Sequence, residues 1–71
     1  MNAIDQHIGE RVRQGRINRN LTPRALAEAL GVSTQDITDF ESGRKRLSAA
    51  HLFMLTKILH CDVAYFFEGL E

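Results

Sequence analysis

One cysteine, one proline and no surplus of charge of either sign mark this 71-residue sequence. Cys61 alone has no partner for an internal disulfide, and the missing Cys-x-x-Cys pair removes a thiolate zinc site. His7, His51 and His60 fall on separate segments without i, i+4 spacing, so no metal is expected. There is neither a nucleophile motif nor a glycine-rich phosphate loop, which argues against an enzyme and against a bound cofactor. No apolar h-region opens the chain, and no run approaches the roughly 20 apolar residues that cross a bilayer. The expectation is a cytoplasmic protein with no membrane partner, in a reducing compartment that suits a single free thiol. Repeats, linkers, low-complexity tracts and strand-like alternation are also missing.

What is there suffices for one small domain. An apolar fraction of 44% supports a single modest core, and the whole of 1–71 reads as one unit. A core of that size supplies only about 3–5 kcal/mol, so pairing with a second copy is a natural way to bury more surface. Nine Lys and Arg balance nine Asp and Glu, which disfavours a partner held by bulk electrostatics. Their distribution is lopsided. Arg11, Arg13, Arg16, Arg19 and Arg24 crowd the first third, Arg44, Lys45 and Arg46 form a run, and Asp62, Glu68 and Glu71 make the end acidic. One face can therefore meet phosphate although the chain as a whole is neutral.

Periodicity and punctuation predict helices throughout. Ile4, Ile8 and Val12 form an apolar stripe on a first helix reaching about Arg19, with Gly15 read as simply tolerated inside it. Asn20 can take the left-handed turn that ends this helix, and Leu21 then plugs the core. Thr22 before Pro23 signals the start of a second helix running to about Leu30 and ended by Gly31. Ser33 caps a third, with Asp36 favouring its positive end, Ile37 and Phe40 facing inward, and Gly43 closing it. Ser48 caps a fourth whose stripe is Leu52, Leu55, Ile58 and Leu59, and a short last helix spans Val63 to Phe67 before Gly69. Of Tyr65, Phe66, Phe67 and Leu70 some must be core, but three successive aromatics cannot all face one interior, so this group also supplies the expected dimer interface.

Two compact helices joined by Gly31, Val32 and Ser33 have the spacing of a helix-turn-helix, at about 22–42, which offers its second helix to the major groove. With Ile37 and Phe40 inward, Thr34, Gln35, Thr38 and Asp39 point outward. Leu21-Thr22, Leu26-Ala27, Leu30-Gly31-Val32-Ser33, Ile37, Phe40-Glu41 and Gly43 resemble the lambda-repressor-like, or XRE-type, family. The tail from Leu52-Phe53 through Tyr65-Phe66-Phe67-Glu68-Gly69 is similar to short alphaproteobacterial members. The resemblance implies an all-α, compact five-helix domain and a dimeric regulator, read as a repressor, on a pseudo-palindromic duplex DNA site. It implies base-reading positions at Thr34, Gln35 and Asp39 with Thr38 beside them, and a phosphate-contacting loop of Arg44, Lys45 and Arg46. Ser42 and Thr22 are further phosphate candidates, and Arg16 with Glu41 match a structural ion pair.

Three departures from the family pattern bear on function. Pro23 stands where a glutamine is usual and removes a side-chain and a backbone donor near the phosphates. Asp36 and Asp39 bring carboxylates to a surface that meets a polyanion, unless Asp39 accepts from cytosine N4. Asn20 and His60 replace glycines at turns. These features motivate weakened or unusually selective DNA binding, and an alternative in which the scaffold serves protein contact with another regulator or RNA polymerase.

Overall fold

The computed structural model describes residues 2–70, so Glu71, counted above in the acidic end, lies outside the described residues. Helix α1 covers Ala3–Asn18, α2 Pro23–Leu30, α3 Thr34–Ser42 and α4 Ala49–Leu59, and a 3-10 helix follows at Val63–Phe67. The fold class is all-α, but the expected fifth helix winds more tightly than an α-helix. It is only five residues long, and the Asp62 side chain makes no cap bond to its free N–H groups. Short segments without such help settle for i→i+3 bonds, as in Tyr65 N–H to Asp62 C=O at 3.0 Å.

Each α-helix starts on a polar side chain that accepts a backbone N–H. Asn2 serves Ile4, Thr22 serves Ala25, Ser33 serves Asp36 and Ser48 serves His51. At Ser33 the Asp36 carboxylate also accepts the Ser33 N–H, which closes a capping box. The four helices end alike as well. Asn20, Gly31, Gly43 and His60 all take the left-handed conformation. The next residue's N–H then turns back onto the preceding helix: Leu21 to Arg16, Val32 to Ala27, Arg44 to Asp39, Cys61 to Thr56.

The core is built from every element: Val12, Leu26, Ala27, Leu30, Ile37, Phe40, Leu55, Leu59 and Phe66. The predicted stripe on α1 begins later than expected, because Ile4 in the overhanging first turn is 48% exposed. Gly9 decides how α1 crosses α3. A Cβ there would collide with the carbonyl oxygen of Phe40 and stand 2.8 Å from that of Glu41, so only hydrogen lets the backbones approach. Gly15 is not merely tolerated: its added Cβ would meet Leu59 Cδ1 at 3.1 Å, so α4 packs closely there.

Candidate nucleic-acid interface

Helix α3 is anchored on one side and free on the other. Ile37 and Phe40 are buried, whereas Thr34, Gln35, Thr38 and Ser42 are exposed and Asp36 and Asp39 lie half-buried at the flanks. A shallow cleft beside it is lined by Arg13, Thr38, Glu41 and Ser42. Arg13 thus shares the face of the predicted reading residues, a role missed in the sequence because α1 lies far from α3 along the chain.

The anchoring of α3 runs through Arg16. Its Nε donates to Glu41 Oε2 at 2.7 Å, Nη2 to Oε1 at 3.3 Å and Nη1 to the Leu21 carbonyl at 2.9 Å. The two side chains are only 12% and 10% exposed, so this is a bidentate pair tying α1 to the end of α3 and to the turn before α2.

Both carboxylates that were expected to repel phosphate are engaged. Gln35 Nε2 donates to Asp39 Oδ1 at 3.1 Å, one helical turn away. A carboxylate only accepts, so the amide nitrogen must face it, and the second N–H and the carbonyl of Gln35 stay available. Lys45 Nζ bonds Asp36 Oδ1 at 2.7 Å. That ammonium, and then the Ser33 N–H, hold the Asp36 carboxyl below the ordinary carboxylate range. Arg46 reaches back to Asp5 on α1, its Nε lying 3.2 and 3.3 Å from the two carboxylate oxygens. Of the three loop cations, only Arg44 has no ion pair among the described residues. Thr22 Oγ1 accepts from Ala25 N–H, which leaves its hydroxyl proton unspent, whereas Ser42 already donates to the Asp39 carbonyl at 3.2 Å.

The predicted dimer residues do not stand together. Phe66 is fully buried and fills the chain's own core, which removes it from that set. Tyr65 is half-buried beneath Arg11, whose guanidinium lies 4.0 Å from the ring centroid and donates to the Tyr65 carbonyl at 2.8 Å. Arg11 also pairs with Glu68 at 2.8 Å, and His7 Nε2 donates to the Glu68 carbonyl at 2.7 Å, so this flank of the terminal turn is clamped to α1. Leu70 is half-buried too. Phe67 alone opens outward, at 42% exposure, into a groove shared with Phe53 at 63% and with Leu52, Lys57, Asp62 and Val63. Phe53 gives no sign of this exposure in the sequence, because it falls between core positions of the α4 stripe. Cys61 lines this groove, and burial pushes its thiol upward, aided by Asp62 and opposed by Arg11.

Among the described residues no group of three His, Cys, Asp or Glu side chains could hold a metal ion, and no helix is long and apolar enough to cross a membrane. Comparison with known proteins agrees with the architecture. The helix-turn-helix family matches residues 12–66. A transcriptional regulator in the ATPase CF(0) region of Rhodospirillum rubrum is 44% identical over 68 residues, covering 96% of this chain and 63% of that protein. An HTH-type transcriptional regulator of Sinorhizobium fredii is 40% identical over 67 residues, covering 94% of this chain and 47% of its own length. This chain is therefore shorter than these curated relatives. The crystal structure of the clp gene regulator ClgR from Corynebacterium glutamicum superposes with a TM-score of 0.87 at 30% identity, over 93% of this chain and 70% of that one. The cap-and-turn order from Thr22 to Gly43, the all-helical core and these likenesses agree, and the chain belongs to the XRE-type helix-turn-helix family of transcriptional regulators.

Proposed function

We propose that this chain is a sequence-specific double-stranded DNA-binding regulator of transcription, acting as a dimer on a pseudo-palindromic operator. Repression is its simplest mode, because a domain seated on a duplex excludes other proteins from the same bases. The observation that carries the reading is α3 itself. Its inner side is filled by Ile37 and Phe40, while Thr34, Gln35 and Thr38 face solvent beside a loop of three cations. A helix so supported fits the major groove. The free N–H and carbonyl of Gln35 match N7 and N6–H of adenine, a pairing that discriminates by about 1–3 kcal/mol. Asp39 then acts less as a reader than as the positioning residue that holds Gln35. Arg44 and the Thr22 hydroxyl are the phosphate ligands that need no prior release, and Arg13 needs only to leave an exposed contact with Glu10 at 3.8 Å.

The dimer contact we assign to the Phe53, Val63 and Phe67 groove, and two half-sites then require the paired α3 helices to stand about 34 Å apart, one turn of duplex. Lys57 and Asp62 line the same groove, so across a two-fold axis each copy's lysine can face the other's aspartate. Such self-complementarity is what an isologous interface requires. The competing expectation of protein contact with another regulator or polymerase drew on Asp36, Asp39, Pro23 and the zero net charge, of which the two carboxylates are the part the geometry bears on. Their engagement by Lys45 and Gln35 weakens that motive.

Selection of bound sites from random duplexes, followed by salt titration on the winner, tests the proposal. Gln35→Ala should flatten the preference at particular base pairs, whereas Arg44→Ala should weaken every duplex alike and reduce the logarithmic salt slope by about 0.9. Phe53→Glu should leave a folded monomer in sedimentation. An unenriched pool, or binding indifferent to salt, would overturn the DNA reading.

A further inference from the structure

Two of the three cations in the loop after α3 are already occupied by carboxylates of the same chain. Lys45 is held by Asp36 at 2.7 Å, and Arg46 by both oxygens of Asp5 at 3.2 and 3.3 Å. The two partners in each pair differ in freedom. Asp36 is fixed by the capping box at the start of α3, and Asp5 sits largely covered in the first turn of α1. Lys45 and Arg46 are exposed and carry their charges on long flexible stems. A fixed anion holding a mobile, solvent-facing cation can be exchanged for another anion without disturbing the core.

Resting on the DNA-binding reading above, we infer that Asp36 and Asp5 restrain DNA affinity by competing with backbone phosphates for Lys45 and Arg46. Binding to duplex without regard to sequence comes almost entirely from cations that displace counterions from phosphate. A lysine that must leave a carboxylate to reach phosphate contributes less to that term than a free one. Two loop charges are thus held in reserve, and bulk DNA captures the protein less readily. Because phosphates carry no base information, the restraint acts equally on all sequences.

The test is a double-mutant cycle on duplex binding, read by fluorescence anisotropy with both the selected site and a scrambled duplex. Asp36→Asn keeps an oxygen for the Ser33 N–H but releases Lys45. An exposed ion pair corresponds to at most about five-fold in an equilibrium constant, so Asp36→Asn should tighten both duplexes by up to about five-fold. It should also steepen the salt slope by up to about 0.9. In a Lys45→Ala background the same change should gain less than about two-fold, because the competed cation is gone. Asp5→Asn with Arg46→Ala should repeat the pattern, with circular dichroism melts confirming that each variant folds. Equal gains with and without the lysine would mean simple relief of repulsion and would overturn the inference, as would no gain at all. If wild type selects a Gln35-dependent site while the cycle is flat, only this inference falls. If no duplex binds even at low salt, the DNA-binding reading falls and takes the inference with it.

Discussion

Glu41→Ala is the substitution with the largest consequence that the geometry allows to be worked through. Arg16 and Glu41 are 12% and 10% exposed and joined by two N–H···O contacts. Removing the carboxylate leaves Arg16 covered, with the Leu21 carbonyl at 2.9 Å as its remaining acceptor. Stranding one member of a buried pair costs about 3–5 kcal/mol. At about 0.05–0.15 kcal/mol per residue a chain of this length has about 4–11 kcal/mol in total, so the loss is about a quarter of the stability or more. For a domain of this size each kcal/mol moves the melting temperature by about 4–8 °C, which puts the expected fall at about 12 °C or beyond. Thermal and urea melts followed by far-ultraviolet circular dichroism would measure it. Arg24→Ala is the internal control, because Arg24 and Glu28 are 82% and 72% exposed and 3.9 Å apart, and such pairs contribute about 0–1 kcal/mol. Replacing the buried pair together, as Arg16→Met with Glu41→Leu, should recover most of the loss, since well-packed apolar side chains often substitute for buried ions. A Glu41→Ala melt no lower than that of Arg24→Ala, or a double variant worse than the single, would refute the reasoning.

Other consequences can be measured on the same footing. Gly9→Ala should destabilise by about 1–3 kcal/mol, because its Cβ meets backbone of α3 rather than a side chain that can swing aside; a melt within error of wild type would contradict this. Asp36 has a carboxyl held low by Lys45 and by the Ser33 N–H, so its contribution is complete above the carboxylate value of the unfolded chain and drains away as pH falls through the lower folded value. Asp36→Asn should therefore flatten the stability profile below about pH 4, a change readable in melts across acid pH. Cys61, whose thiol is raised chiefly by burial, should react with iodoacetamide at pH 8 several-fold more slowly in the folded chain than in urea, and equal rates would argue against that environment.

How much of this was readable in advance depends on whether a feature is local. Thr22-Pro23, Ser33 and Ser48 announce helix starts because capping is a contact within four residues. Gly31, Gly43 and Asn20 announce ends for the same reason, whereas His60 is placed at its turn only by comparison with the family pattern. Gly9 carries no local sign of its task, since what it makes room for lies on another helix. Lys45 and Asp36 are nine residues apart and Arg46 and Asp5 forty-one, so neither pair follows from spacing. Arg16 and Glu41 were legible only through family resemblance. Among Tyr65, Phe66 and Phe67 residue type does not say which one turns inward, and the tighter 3-10 winding breaks the helical periodicity that would otherwise sort them.

The helix ends also explain why the loop after α3 is the part left open. In all four α-helices the residue after the left-handed position bonds back to the helix it leaves. That residue ordinarily packs an apolar side chain against the helix it follows. Leu21, Val32 and Cys61 do so, and each seals one junction onto the core. After α3 the same position is Arg44, which is exposed, so the shared turn geometry is kept while the seal is not. The backbone there is still fixed, with the Arg44 and Lys45 N–H groups on the Asp39 carbonyl at 2.9 and 3.2 Å. A rigid turn that gives up an apolar contact for a cation beside the outward face of α3 loses packing and gains a charge in a defined place. That defined place, and the lack of an ion pair on Arg44 among the described residues, are reasons to treat it as the first phosphate ligand to test.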